Sequence, residues 1–84
     1  MAAPVVTIYS QTTCGWSARV KAWFRQRGVS PFVIEYDLAG PELQTRIAAE
    51  LRQNGARGFP FVKIDGAVVL GYAPHEYERL LARG

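Results

Sequence analysis

The chain has 84 residues, of which 49% are apolar, with a single cysteine and a net charge of +3. That supports one hydrophobic core, read as a single domain over residues 1–84, and argues against disorder. One cysteine excludes a disulfide framework, and Cys14 with His75 is too small a set of soft ligands to close a structural zinc site.

The apolar pattern alternates between strand and helix periods. Val5 to Tyr9 is a β-branched run read as a buried strand, followed by the polar loop Ser10–Thr13. From Gly15 to Arg27 the period is helical, with Val20, Trp23, Phe24 and then Gln26–Arg27 tracking one face before Gly28 stops the helix. Phe32 to Tyr36 reads as a second strand ending near Asp37. Pro41 suits a first helical turn, and Leu43, Ile47 and Leu51 repeat every four residues up to Asn54–Gly55. Phe61–Ile64 and Ala67–Leu70 flank Asp65–Gly66, a two-residue hairpin signal. Pro74 opens a last helix that turns Tyr77, Leu80 and Leu81 inward. The order strand-helix-strand-helix-strand-strand-helix predicts an α/β fold. Its four-stranded mixed sheet has a parallel first pair, an antiparallel closing hairpin and three flanking helices, the minimal thioredoxin-like architecture.

No apolar run approaches the length of a membrane span, and the segment Met1–Val5 lacks the basic and apolar regions of a signal peptide. A reducing cytoplasm is the expected compartment. Arg19, Lys21, Arg25 and Arg27 precede the first acid, Glu35, but without a basic–aromatic sheet motif they read as a solvated helix face rather than a nucleic-acid footprint.

The chemistry sits where the first strand meets the first helix. Cys14 ends a polar loop and precedes a helical pattern, which places its sulfur near unpaired backbone N–H groups and the positive end of a helix dipole. Both favour the thiolate, the reactive form. The N–H groups of Gly15 and Trp16 are the expected partners of that anion. Ser17 fits two roles, a hydroxyl donating to the Cys14 sulfur and a cap on the helix backbone. Phe59–Pro60, just before a strand, places a proline that cannot donate to the ladder, and a cis peptide bond is one of its options.

The stretch from Ile8 to Phe24, Ile-Tyr-Ser-Gln-Thr-Thr-Cys-Gly-Trp-Ser-Ala-Arg-Val-Lys-Ala-Trp-Phe, resembles the active-site segment of glutaredoxins. Arg57–Pro60 falls on that family's Arg-Thr-Val-Pro, whose proline is cis and faces the cysteine. Ile64–Gly66 and Leu70–Tyr72 fall on its Ile-Asp-Gly and Gly-Gly segments. The resemblance implies a glutathione-using thiol–disulfide oxidoreductase with Cys14 as nucleophile and Ser17 supporting it. It also implies a substrate cleft of Gln11, Gly15, Trp16, Arg57, Phe59, Pro60, Gly71, Tyr72 and Ala73.

The departures are informative. Ser17 stands where the dithiol members carry a second cysteine, giving Cys-Gly-Trp-Ser, similar to the Cys-Gly-Phe-Ser of monothiol glutaredoxins. The five-residue insertion and the Trp-Pro-Thr-x-Pro segment of that class are missing. Gln11 stands where the family has a lysine for a glutathione carboxylate, and Ala73 where it has an aspartate for the γ-glutamyl end. Gly71-Tyr-Ala-Pro74 instead looks like the Gly-Phe-Arg-Pro of redoxins that are reduced by thioredoxin reductase. The leading expectation is exchange through Cys14 on glutathione mixed disulfides or protein disulfides. Regeneration then falls to glutathione or a reductase, in a monomer without nucleic-acid or membrane partners. Three others stand beside it. One is a carrier with a [2Fe–2S] cluster bridged by Cys14 of two chains and two glutathiones. Another is a dithiol redoxin whose resolving cysteine was replaced by Ser17, and the third is a redox-inactive binding module.

Overall fold

Strand β1, Val6–Ser10, decides the architecture because it is paired on both edges. The computed structural model describes residues 3–83, with α1 (Gly15–Gln26), β2 (Phe32–Glu35), a 3-10 turn (Tyr36–Leu38), α2 (Pro41–Gln53), β3 (Phe61–Ile64), β4 (Ala67–Leu70) and α3 (Pro74–Arg83) following in order. The sheet order is β2-β1-β3-β4, with β1 parallel to β2, antiparallel to β3, and β3 antiparallel to β4. Ile8 lies opposite Val33 on one side and Val62 on the other. The expected order and pairing are all present. The second strand stops one residue earlier than expected, because Tyr36 already belongs to the 3-10 turn.

The period of two along each strand splits the core into two layers. Val6, Ile8, Val62, Ile64 and Val69 face α1 and α3, where they meet Val20, Trp23, Phe24, Tyr77 and Leu80. Trp23, Phe24 and Tyr77 have ring centroids 5.0–5.2 Å apart and tie the two helices together. Tyr9 and Phe61 point the other way, stack at 5.4 Å, and pack against Ile47 and Leu51 of α2. Tyr9 also donates to Glu50 at 2.6 Å, and Lys63 reaches the same carboxylate at 2.8 Å, so a polar clamp fixes α2 beside its apolar contact.

Two sequence expectations fail at helix margins. Gln26 and Arg27 are exposed rather than inward, since α1 ends at Gln26; Arg27 instead lays its guanidinium 3.7 Å over the Trp23 ring and pairs with Glu78 of α3. Leu43 continues the four-residue spacing, yet in the first turn of α2 it is exposed, and only Ile47 and Leu51 are buried. At the hairpin, Asp65 and Gly66 both take positive φ, 50° and 87°, as a two-residue mirror-image turn requires.

Ile47 is buried against the α2-facing core. Ile47→Ala should cost about 2–5 kcal/mol, a large part of the stability of a domain this small. Urea unfolding should show it as a lower midpoint with an unchanged slope.

Candidate active site

The parallel pairing of β1 with β2 brings their C-terminal ends to one end of the sheet. Because β3 runs antiparallel to β1, its N-terminal end arrives there too, followed by the C-terminal end of β4. Four chain segments far apart in sequence therefore converge: the loop before α1, the turn after β2, Phe59–Pro60, and Gly71–Ala73.

Cys14 is the N-cap residue of α1, with extended backbone angles (φ −92°, ψ 115°). Its N–H donates to the Gln11 carbonyl at 3.1 Å, closing a turn, and its own carbonyl accepts from Ala18 N–H at 3.2 Å. The thiol points at the carbonyl oxygen of Phe59, 3.8 Å away, and the Phe59–Pro60 peptide bond is cis. Cys14 is partly exposed, so its sulfur is reachable from outside.

Ser17, one turn on, is fully buried and its hydroxyl has no hydrogen-bond partner, nor does it cap the helix. With the thiol donating to Phe59, its sulfur is only a weak acceptor for Ser17; once ionised, it becomes a strong one. The Ser17 hydroxyl is the largest cause holding the Cys14 thiol below its ordinary pKa. The Ser17 N–H comes next, burial opposes both, and the Trp16 N–H and the charge of Lys21 add smaller contributions in the lowering direction. The amides that act on the sulfur are thus those of Trp16 and Ser17 rather than Gly15 and Trp16, because an N-cap side chain reaches the second and third helical N–H groups. A Cβ on Gly15 would meet nothing within 4 Å, so that position is not reserved for glycine by crowding.

The remaining expected residues are placed as follows. Pro60 is buried and Phe59 half-buried, its ring 5.2 Å from Tyr36. Gly71, at φ 75°, donates its N–H to the Pro60 carbonyl at 3.0 Å, which locks the two loops together. Arg57, Phe59, Pro60 and Gly71 line one groove. Trp16 and Tyr72 are exposed and lie 5.8 Å apart. Gln11 is half-buried and contributes its carbonyl to the Cys14 turn. Ala73 is half-buried against the core and accepts from Tyr77 N–H at the start of α3.

Three supporting residues escaped the sequence reading. Asp37 accepts from the Thr12 N–H at 3.1 Å and from the Thr12 hydroxyl, pinning the loop before Cys14 to the turn after β2. Thr12 in turn holds the Asp37 carboxyl below the usual carboxylate range, so this anchor persists at neutral pH and is lost only on acidification through that lowered value. Glu35 pairs with Lys21 at 3.3 Å, anchoring a base that acts on Cys14. The Tyr77 hydroxyl donates to the Gly71 carbonyl, and burial pushes its pKa up to about 12. Acids at the exits of strands converging on the β1–α1 loop were the available signal for Asp37 and Glu35.

A family model described as Glutaredoxin matches residues 6–69. The chain belongs to the glutaredoxin family. It is 41% identical over 69 residues to a rice (Oryza sativa subsp. japonica) protein named monothiol glutaredoxin-S10, a match covering 79% of this chain and 40% of the rice protein. The chain thus spans less than half the length of that curated relative. Among solved structures, a glutaredoxin from Archaeoglobus fulgidus superposes with a TM-score of 0.76 at 30% identity, over 94% of this chain and 86% of that one. A buckwheat glutaredoxin–glutathione complex does so with a TM-score of 0.79 at 30% identity, over 95% and 78%. These glutaredoxins share the helix and sheet arrangement described above. Among the described residues no helix is long and apolar enough to cross a membrane, and no group of three or more His, Cys, Asp or Glu is placed to hold a metal ion.

Ser17→Ala removes the hydroxyl awaiting the thiolate. The alkylation rate of Cys14 against pH should keep its shape, with its midpoint moved up toward the free-thiol value, and reaction at neutral pH should slow. An unmoved midpoint would show that the backbone amides and Lys21 suffice.

Proposed function

We propose that this chain is a glutathione-dependent thiol–disulfide oxidoreductase that works through Cys14 alone. The observation that carries this reading is a partly exposed thiol at a helix N-cap. A buried, unpartnered Ser17 hydroxyl favours its anion, and its sulfur lies 3.8 Å from the Phe59 carbonyl. The buckwheat relative bound to glutathione and the rice relative named as monothiol support the choice of co-substrate and of mechanism.

In this reading the Cys14 thiolate attacks the glutathione sulfur of a mixed disulfide. The bond from that sulfur to the partner's cysteine breaks, and the partner leaves as a thiolate that takes a proton from water. A second glutathione, as thiolate, attacks the glutathione sulfur now bonded to Cys14. It releases Cys14 and forms glutathione disulfide. One free glutathione is consumed, the partner is reduced, and no resolving thiol is needed. The extended glutathione backbone pairs with Phe59 beside Pro60, and Arg57 attracts a carboxylate in the same groove. Gln11 and Ala73 supply no charge there, so glutathione rests on fewer ionic anchors than its shape alone would allow. Gly71 lines the same groove, and Tyr72 follows it beside Trp16 as a further contact for the substrate.

The unit that does this is residues 1–84 as one glutaredoxin-like domain, a monomer in a reducing, cytoplasm-like compartment, with glutathione or a reductase as electron source. One other reading has a specific observation behind it. The Cys14 sulfur is partly exposed, favoured as thiolate, and has no second thiol to close onto. Cys14 from each of two chains plus two glutathiones would supply the four sulfurs of a [2Fe–2S] cluster, a group that accepts and passes single electrons. Anaerobic reconstitution followed by visible absorption and sizing separates this dimer from the monomeric exchanger.

Cys14→Ser should abolish steady-state reduction of a glutathione mixed disulfide to background, while circular dichroism stays that of the wild type. Turnover persisting in that variant would overturn the reading.

A further inference from the structure

Two grooves lie near Cys14, one including Phe59, whose carbonyl meets the thiol, the other including Arg19 and Tyr72, which both meet the Trp16 ring. One runs over Arg57, Phe59, Pro60 and Gly71, and is the place assigned above to glutathione. The other, about 230 Å³, is lined by Arg19, Ala22, Trp23, Gln26 and Tyr72. Beside the second groove stand Trp16, two residues from Cys14, and Tyr72, 55% and 37% exposed, an unusual amount of aromatic surface to leave in water.

The second groove carries a definite charge. Arg19 sets its guanidinium 5.0 Å over the Trp16 ring, and among the described residues no carboxylate pairs with it. Of the other bases on α1 and at its end, Arg25 also lacks a carboxylate partner among the described residues but does not line this groove, and the remaining two are paired. Lys21 is held by Glu35 and Arg27 by Glu78. No acid lies on α1 to compete for Arg19.

A mixed disulfide has two arms that leave its sulfur pair in different directions. We propose that the second groove seats the protein arm, with an acidic side chain of the partner paired to Arg19 and a neighbouring apolar side chain set against Trp16 and Tyr72. This assignment rests on the exchange chemistry proposed above and names the class of partner it serves: glutathionylated proteins whose modified cysteine has an acidic flank. Glutathione itself does not need the groove, because it already occupies the other one. The Arg19 guanidinium, stacked on Trp16, is pre-positioned, so little side-chain entropy is lost when a carboxylate docks.

The test uses two glutathionylated peptides that differ only in a Glu or a Lys beside the modified cysteine, and the mixed disulfide of glutathione with 2-mercaptoethanol, which has no peptide arm. Each is assayed with the wild type, Arg19→Ala and Arg19→Glu, and the peptide rates are compared as a ratio of kcat/KM. The wild type should favour the Glu peptide by about fivefold at low salt, with the preference shrinking as salt rises. Arg19→Ala should bring the ratio to about one, and Arg19→Glu should invert it. Equal kcat/KM for both peptides in the wild type, or a Glu preference that survives Arg19→Glu, would overturn the groove assignment alone. Failure of the wild type to turn over the armless disulfide would overturn the exchange chemistry, and the groove assignment with it.

Discussion

Hydrogen bonding along both edges of β1 is the constraint on which the rest of the molecule depends. A strand paired parallel on one side and antiparallel on the other sends three strand ends to the same end of the sheet, and the β3–β4 hairpin adds a fourth. The alternation of Val6 and Ile8 against Tyr9 then fixes which helices cover which face, since a slip of one residue would turn the whole apolar set over. The thiol, the cis Phe59–Pro60 bond and the aromatic pair meet because of that pairing, not because of any local attraction between them.

Within that frame the site is held by short polar ties rather than by bulk. Asp37 grips Thr12, Gly71 bonds to Pro60, and Tyr77 bonds to Gly71, so three loops that face water keep fixed relative positions. The Tyr77 ring sits fully buried among Trp23 and Phe24 while its hydroxyl reaches a loop carbonyl at the rim. The core packing and the geometry of the cleft are therefore coupled through one side chain. Ser17 shows the converse economy. A buried hydroxyl left without a partner normally costs stability, and here it lies where it favours the ionised form of the Cys14 thiol.

The absence of a second thiol shapes what the site does. A dithiol member can close an internal disulfide, whereas in the proposed exchange Cys14, the one cysteine of these 84 residues, reacts only with sulfur from another molecule. That makes the surface around it decisive, because every partner must be presented from outside. In the proposed reading two grooves supply that presentation, one nearly neutral apart from Arg57 and the other marked by Arg19.

Much of this was legible in the chain itself. The strand and helix periods, the Asp65–Gly66 turn and the placement of Cys14 at a helix start are set by residues near one another in sequence, so local physics was enough to read them. The family likeness added Pro60 and the Gly71–Tyr72 segment. The margins were harder: Leu43 keeps the helical spacing but is exposed, and Arg27 covers Trp23 from outside instead of entering the core. Which amides and hydroxyl face the sulfur, that Asp37 and Glu35 serve the site, and that Arg19 stands unpaired beside a groove were decided only by the tertiary structure. Each depends on distances between segments brought together by strand pairing, and no spacing along a single chain encodes such a distance.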